Sequence, residues 1–257
     1  LVPASVSTLG RTEPTGVNMT VTKTSDEKLF RRCVVNNAVY DYISRCASSD
    51  LGIATPPADL RLWIMQGMKS SSAVMLHHGA VLRNDLVEAF LDKYSRILEF
   101  FLPDITIGVK DSSSYQEIYS DVCHELAHAS HFAQVGTGYW NKYIRYILES
   151  YVTTGDAYGE GLSADAGYCG VGESWAYYLE SMMYKERYGG SIPTFGSSYW
   201  FYPQIFRYLD ERGLTRSDIF SVLEGNIASK TDLKSALIRN FPQKRTVIEQ
   251  VFSRYGN

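Results

Sequence analysis

Asp121-Val122-Cys123-His124-Glu125-Leu126-Ala127-His128-Ala129-Ser130-His131-Phe132-Ala133-Gln134 is the stretch from which the rest of the chain is read. Within it, His124 to His128 spell H-E-x-x-H. On an α-helix two histidines four residues apart leave the same face, one turn above the other. Both imidazoles can then reach one metal ion. Glu125 is angled toward the same edge, where a metal-bound water would sit and give up a proton. Zinc is the expected occupant, because neutral imidazole suits it and it accepts a tetrahedral site with one open position. The competing reading is a core helix whose histidines are satisfied by carbonyls or carboxylates.

The flanks support a helix. Asp111-Ser112-Ser113-Ser114 is a start signal, and Ser114 with Glu117 reads as a capping box. Ile118, Val122, Leu126, Ala129 and Ala133 recur at helical spacing, and the histidines lie almost opposite that stripe. A helix buried on both sides belongs between a core and a cleft.

Composition sets the outer bounds. A chain of 257 residues fits one large domain or two closely packed lobes. Its net charge of -3 gives no basic footprint for nucleic acid. No apolar run is long enough to span a bilayer. Cys33, Cys46, Cys123 and Cys169 form no C-x-x-C pair and no disulfide framework. Tyrosine is abundant, with 19 copies, which suits wet, partly polar clefts as well as cores. The chain begins at Leu1 without a signal segment, so a preceding part holding a targeting signal or another domain is expected, with a secreted or cell-envelope location. Asn18-Met19-Thr20 is a formal glycosylation acceptor.

Residues 1–24, rich in Thr, Ser, Pro and Gly, read as a lead-in, and residues 25–257 as the folded domain. Ser25-Asp26 starts a helix that ends near Ser48, before Thr55-Pro56-Pro57. Leu60, Leu62 and Ile64 alternate with polar or bulky neighbours, and residues 73–78 form a short apolar run; both read as strands. Asn84 or Asp85 caps a helix that reaches Phe101, and residues 104–109 alternate again as a strand. On a strand His77 and His78 face opposite sides, one packed and one solvated, and make poor joint ligands.

Past the motif, Gly136-Thr137-Gly138 stops the helix and residues 139–152 form another. A glycine-rich loop, 153–172, follows. A helix then starts at Glu173-Ser174-Trp175-Ala176 and runs to Tyr188, where Gly189-Gly190 ends it. Glu173, Ala176, Tyr177, Glu180 and Tyr184 share one face of it. A glutamate in a first turn also complements the helix dipole. A catalytic zinc needs three protein ligands, which favours Glu173 as the third, with Glu160, Asp165 and His131 as the other sources. Residues 191–202, with Phe195, Tyr199, Trp200, Phe201 and Tyr202, form an irregular aromatic segment that roofs a cleft or pins a surface loop. The remainder is helical: Thr215 and Asp218 cap one helix, Ser229 or Thr231 starts another to Asn240, and residues 243–255 form the last.

These residues resemble the zincin metallopeptidases of the gluzincin type, in which an H-E-x-x-H helix supplies two zinc ligands and the general base, and a glutamate on a later helix the third ligand. The resemblance covers roughly residues 105–188. Glu-Ser-Trp-Ala at 173–176 matches the E-x-x-A pattern of the second helix. It implies an α+β, predominantly helical, zincin-like fold: a small mixed sheet ahead of the motif helix, an N-terminal lobe at about 25–135 and a helical C-terminal lobe at about 136–257. It implies His124, His128 and Glu173 as Zn2+ ligands, Glu125 as the catalytic base, and a peptide or protein substrate. The metzincin variant fails, since it needs glycine where His131 stands and histidine where Gln134 stands. Two features depart from the family: residues 129–172 make a longer gap than usual, and Tyr177 stands where an acidic residue is common. Glu180 on the same face can hold a ligand histidine instead. With no histidine after His131, oxyanion stabilisation falls to a tyrosine or arginine, with Tyr168, Tyr199 and Tyr202 as candidates. His131 either lines the cleft or replaces a ligand. Two other functions fit the motif: a zinc hydrolase acting on a non-peptide bond, and a non-catalytic zinc-stabilised binding module with His131 as fourth ligand.

Overall fold

The computed structural model describes residues 20–68, 70–79, 103–110 and 113–255. The helix expected between Asn84 and Phe101, most of the lead-in and the Asp111-Ser112 pair lie outside them. Helix α1 (Glu27–Ala47) starts where Asp26 accepts the Leu29 N–H at 2.9 Å. It buries Val35, Ala38, Tyr42 and Cys46, three or four residues apart, as a single apolar stripe should. Strands β1 (Leu62–Gln66), β2 (Ser72–Ala73) and β3 (Ile105–Val109) form a mixed sheet in the order β1-β3-β2. β3 is central, parallel to β1 with Ile64 opposite Ile107, and antiparallel to β2 with Ala73 opposite Ile105.

The strand expected over residues 73–78 is shorter than its apolar run. Only Ser72 and Ala73 pair, because Met75 adopts a left-handed φ of 60° and the chain turns. The Asp104 carboxylate gathers that turn, accepting the Arg61 and His78 N–H groups at 3.0 and 3.1 Å. The His78 ring lies between Asp104, at 3.0 Å, and the Ala58 carbonyl, at 2.8 Å. The division into one packed and one solvated histidine therefore gives way: His77 and His78 are both half-buried and stacked edge-on.

The long helical run α2 (Tyr115–Thr154) carries the motif. The capping box is present: Glu117 N–H donates to Ser114 Oγ at 3.1 Å, and the Glu117 carboxylate accepts the Ser114 N–H at 2.6 Å. Ile118, Val122, Leu126 and Ala129 are wholly buried. The expected stop falls at Gly136, whose φ of 74° and ψ of -177° divide the run into two helical segments. Such a backbone is essentially restricted to glycine. Tyr42 and Ser130 join α1 to α2 by a buried hydroxyl pair at 2.9 Å.

The next helix departs from expectation at its start. α3 spans Ala166–Tyr188, so it begins seven residues before Glu173, and Gly167, Gly170 and Gly172 are helical rather than loop. Sequence gave no start signal because Asp165, at the N-cap position, makes no cap hydrogen bond; its carboxylate is held by Arg145. The glycines serve close packing. A Cβ at Gly167 would overlap the Ala228 carbonyl, and one at Gly170 would come within 2.8 Å of the Trp200 ring. Tertiary contact here outweighs the roughly 1 kcal/mol helix penalty of each glycine.

Helices α4 (Gln204–Glu211), α5 (Arg216–Ser221), α6 (Lys230–Asn240) and α7 (Arg245–Arg254) complete the chain, α5 with a Thr215-Asp218 capping box and α6 with Ser229 at its N-cap. Trp175, fully buried, ties α3 to both neighbours: its Nε1–H donates to the Ala127 carbonyl at 3.3 Å and its ring packs on Phe206 and Phe220. Among the described residues no helix is long and apolar enough to cross a membrane.

A pair of alanine substitutions separates backbone need from helix propensity along α2. Gly136→Ala meets open space but a forbidden φ, and should lower stability by about 1–3 kcal/mol. Gly138→Ala meets open space with ordinary dihedrals, and should be neutral or stabilising by up to about 1 kcal/mol. Thermal melts of the two variants decide the point.

Candidate metal centre

The first segment of α2 places His124 and His128 one turn apart, and α3 delivers Glu173 from its third turn. His124 Nε2 lies 3.1 Å from His128 Nε2. Glu173 Oε2 is 3.4 Å from His124 Nε2, and Oε1 is 3.4 Å from His128 Nε2. A tetrahedral zinc with bonds of about 2.0–2.1 Å separates its donors by roughly 3.3 Å. The two imidazole nitrogens thus stand at the spacing of one edge of such a polyhedron, with one Glu173 oxygen facing each of them. The three side chains form a buried group that could hold a metal ion.

The second layer fixes the ligands. His124 Nδ1–H donates to Glu180 Oε2 at 3.1 Å, and Ser120 Oγ–H donates to Glu180 Oε1 at 2.6 Å. That chain leaves the His124 Nε2 lone pair free to face the centre. Tyr143, on the second segment of α2, donates its hydroxyl to Glu173 Oε1. The Tyr177 ring meets the His124 ring at 4.4 Å between centroids, and Tyr158 Oη lies 3.4 Å from Tyr177 Oη. Two buried atoms, His128 Nδ1 and Glu173 Oε2, lack a hydrogen-bond partner.

The charges are strongly coupled. Burial pushes the Glu173 carboxyl up, but His128 and His124 outweigh it and hold it well below the carboxylate range. Burial pushes His124 down, and Glu173 with Glu180 more than reverse this, raising it well above an ordinary histidine. His128 is lowered, by burial first. Glu125 is 5% exposed, and burial pushes its carboxyl up to about 8 against the pull of His124. A carboxyl so placed is poised to exchange a proton near neutral pH.

Other candidate residues fall elsewhere. His131 stands outside the donor group, packed edge-on to Tyr139 and Trp140 with neither ring nitrogen partnered. Burial drives it down to about 3, so it is neutral. Asp165 is held by Arg145, and Glu160 is exposed. Of the three tyrosines proposed for an oxyanion, Tyr168 is taken by Lys142 and Tyr139, and Tyr202 packs on Tyr255. Tyr199 is one ring removed, edge-on to Tyr158 and tilted against Tyr177. The tyrosines near the ligands are Tyr143, Tyr158 and Tyr177. Helical phase pointed to Tyr177, four residues after Glu173; nothing local marks Tyr143, which arrives through the break at Gly136. The aromatic segment does meet the site, since Phe201 is buried and stacks on Tyr177. A cavity of about 720 Å3 lies apart, lined among others by Arg45, Glu186, Arg187 and Arg216, each already ion-paired.

Comparison with protein-family models, curated proteins and solved structures finds no match for this chain.

Two outcomes are expected of metal titrations. Glu173→Ala should abolish stoichiometric binding, and Glu180→Gln should weaken it by roughly 10–100-fold, as loss of an outer-shell partner does; competition with a chromophoric chelator measures both. A proton on the raised His124 must leave before its nitrogen can coordinate. Apparent affinity should therefore keep climbing as pH rises beyond 6.5, where an ordinary histidine would let it level off; a plateau at 6.5 would contradict the raised His124.

Proposed function

We propose that this chain is a zinc-dependent metallopeptidase of the gluzincin type, hydrolysing peptide bonds with Glu125 as general base. The observation that carries the reading is the buried group of His124, His128 and Glu173, its two imidazole nitrogens 3.1 Å apart and a Glu173 oxygen 3.4 Å from each, with the buried Glu125 carboxyl beside it. Three protein donors is the count of a catalytic site, which keeps one position open; a structural site closes with four. His131, the one fourth-ligand candidate on the motif helix, lies outside the group, which favours catalysis over a zinc-stabilised binding module.

The donor set suits zinc: two neutral imidazoles and one carboxylate. A zinc ion bound there supplies Lewis acidity, acidifying a water and polarising a substrate carbonyl. The chain's own residues do the rest. Glu125 takes the proton from the attacking water, stores it in a pocket that tolerates the neutral acid, and passes it to the leaving amine. Glu180, oriented by Ser120, keeps His124 in the tautomer with its proton on Nδ1. Tyr143 holds one oxygen of Glu173. With Tyr143 committed to Glu173, the Tyr158–Tyr177 hydroxyl pair beside the His124 ring is the phenolic donor set for a developing oxyanion.

Glu125→Gln tests the assignment. It should retain metal at full stoichiometry while peptide hydrolysis falls by about 10²–10⁴-fold, the usual contribution of a positioned base. Unchanged turnover would remove Glu125 from the role.

A further inference from the structure

The C-terminal helices carry a group of packed tyrosine rings edged by cations, none of them part of the donor group. Tyr255 is stacked on Tyr208 at 6.0 Å between ring centroids and tilted against Tyr202 at 5.2 Å. The Arg212 and Arg254 guanidiniums lie 5.3 and 4.9 Å from the centre of the Tyr208 ring. The Lys230 ammonium sits 5.7 Å from the centre of Tyr202 and donates to the Tyr255 carbonyl at 3.0 Å. Lys244 joins them, donating to the Arg212 carbonyl at 3.2 Å.

The charges of this face do not balance. Among the described residues none of the four cations has a carboxylate within ion-pair distance. The acids of α4, α6 and α7 are committed elsewhere: Glu211 to Arg207, Glu249 to Arg245, Asp232 to Ser229 and Asp210 to Tyr178. Burial pushes the Lys230 ammonium down, with no carboxylate to oppose it. The helix C-termini that accept from these cations offset only part of the charge, since the ends of α4 and α7 together carry roughly one negative charge. The two guanidiniums share one ring, so they stand no more than about 10 Å apart, within a Debye length at moderate salt, and repel each other. This excess is local, in a chain whose net charge is -3. An anionic partner would relieve it. Stacking on Tyr208 also limits the freedom of both guanidinium planes, which lowers the cost of ordering them on a planar anion.

We propose that this face of α4, α6 and α7 docks a carboxylate-rich segment of another polypeptide through Arg212, Arg254, Lys230 and Lys244. Carboxylates match the guanidinium fork in two parallel hydrogen bonds. A nucleic-acid platform needs open rings on which bases stack, and these rings are taken up by one another and by the cations. A membrane surface needs apolar side chains to insert, and none of the exposed large hydrophobic residues lies between residues 203 and 255. The docking face stands whether or not the metal centre is a peptidase.

Fluorescence anisotropy of the whole chain against labelled octaglutamate and octaglutamine decides the matter. Octaglutamate should bind at least about tenfold more tightly, and its affinity should fall as salt is raised. Arg254→Gln and Lys230→Gln should each weaken it by about fivefold or more, with thermal melts unchanged. Arg245→Gln removes the same charge from an arginine already paired with Glu249, and should leave the affinity within twofold. Equal affinity for the two peptides overturns the proposal. So does an equal loss in Arg245→Gln, which would report net charge alone. Tighter binding of octathymidylate or of phosphatidylserine vesicles than of octaglutamate overturns the choice of partner. None of these readings involves metal or turnover, so their failure leaves the peptidase reading where it stood.

Discussion

A carboxylate with 2% exposure, pressed between two imidazoles from another helix, is the constraint on which the molecule turns. Burying an ionised glutamate is expensive unless it is paired and hydrogen-bonded. Glu173 meets that demand only because α3 lies close against α2. Trp175 locks that approach by donating to a carbonyl of the motif helix, while Gly167 and Gly170 admit Ala228 and Trp200 on other sides of α3. Shifting either helix by one turn would leave a buried charge without partners. The same arrangement that stabilises the charge also creates the donor group.

The site is built in layers that each restrict the next. Ser120 orients Glu180, Glu180 orients His124, and His124 faces its lone pair to the centre. On the other side Tyr143 orients Glu173. His128 alone lacks such support at Nδ1, and its neighbours are the rings of Trp140 and Tyr143. Aromatic packing does for His128 what hydrogen bonds do for His124. The abundance of tyrosine in the composition finds its place here, as rings that fill space around charged groups while their hydroxyls still find acceptors.

Much of this was legible in the chain. Ser114 and Glu117 announced the start of α2, the apolar stripe gave its buried face, and helical phase put Glu173, Tyr177 and Glu180 on one side of α3. Those signals are local, and local physics governs them. The start of α3 was not legible, because Asp165 spends its carboxylate on Arg145 and because glycines at 167, 170 and 172 suit loops in isolation. The short extent of β2 was not legible either: apolar content over residues 73–78 reports burial, while the left-handed Met75 ends the pairing. Which tyrosines reach the centre depended on tertiary placement, and Tyr168 and Tyr202 were drawn away by Lys142 and Tyr255.

The break at Gly136 has a geometric meaning for the centre. A straight helix rising about 1.5 Å per residue would carry Tyr143 some 22 Å beyond His128. The two rings are instead 5.5 Å apart between centroids. The polypeptide doubles back on itself, so two sides of the donor group are cut from a single continuous strip. Their mutual alignment is therefore governed by one pivot of the main chain, with no intervening loop whose length could drift.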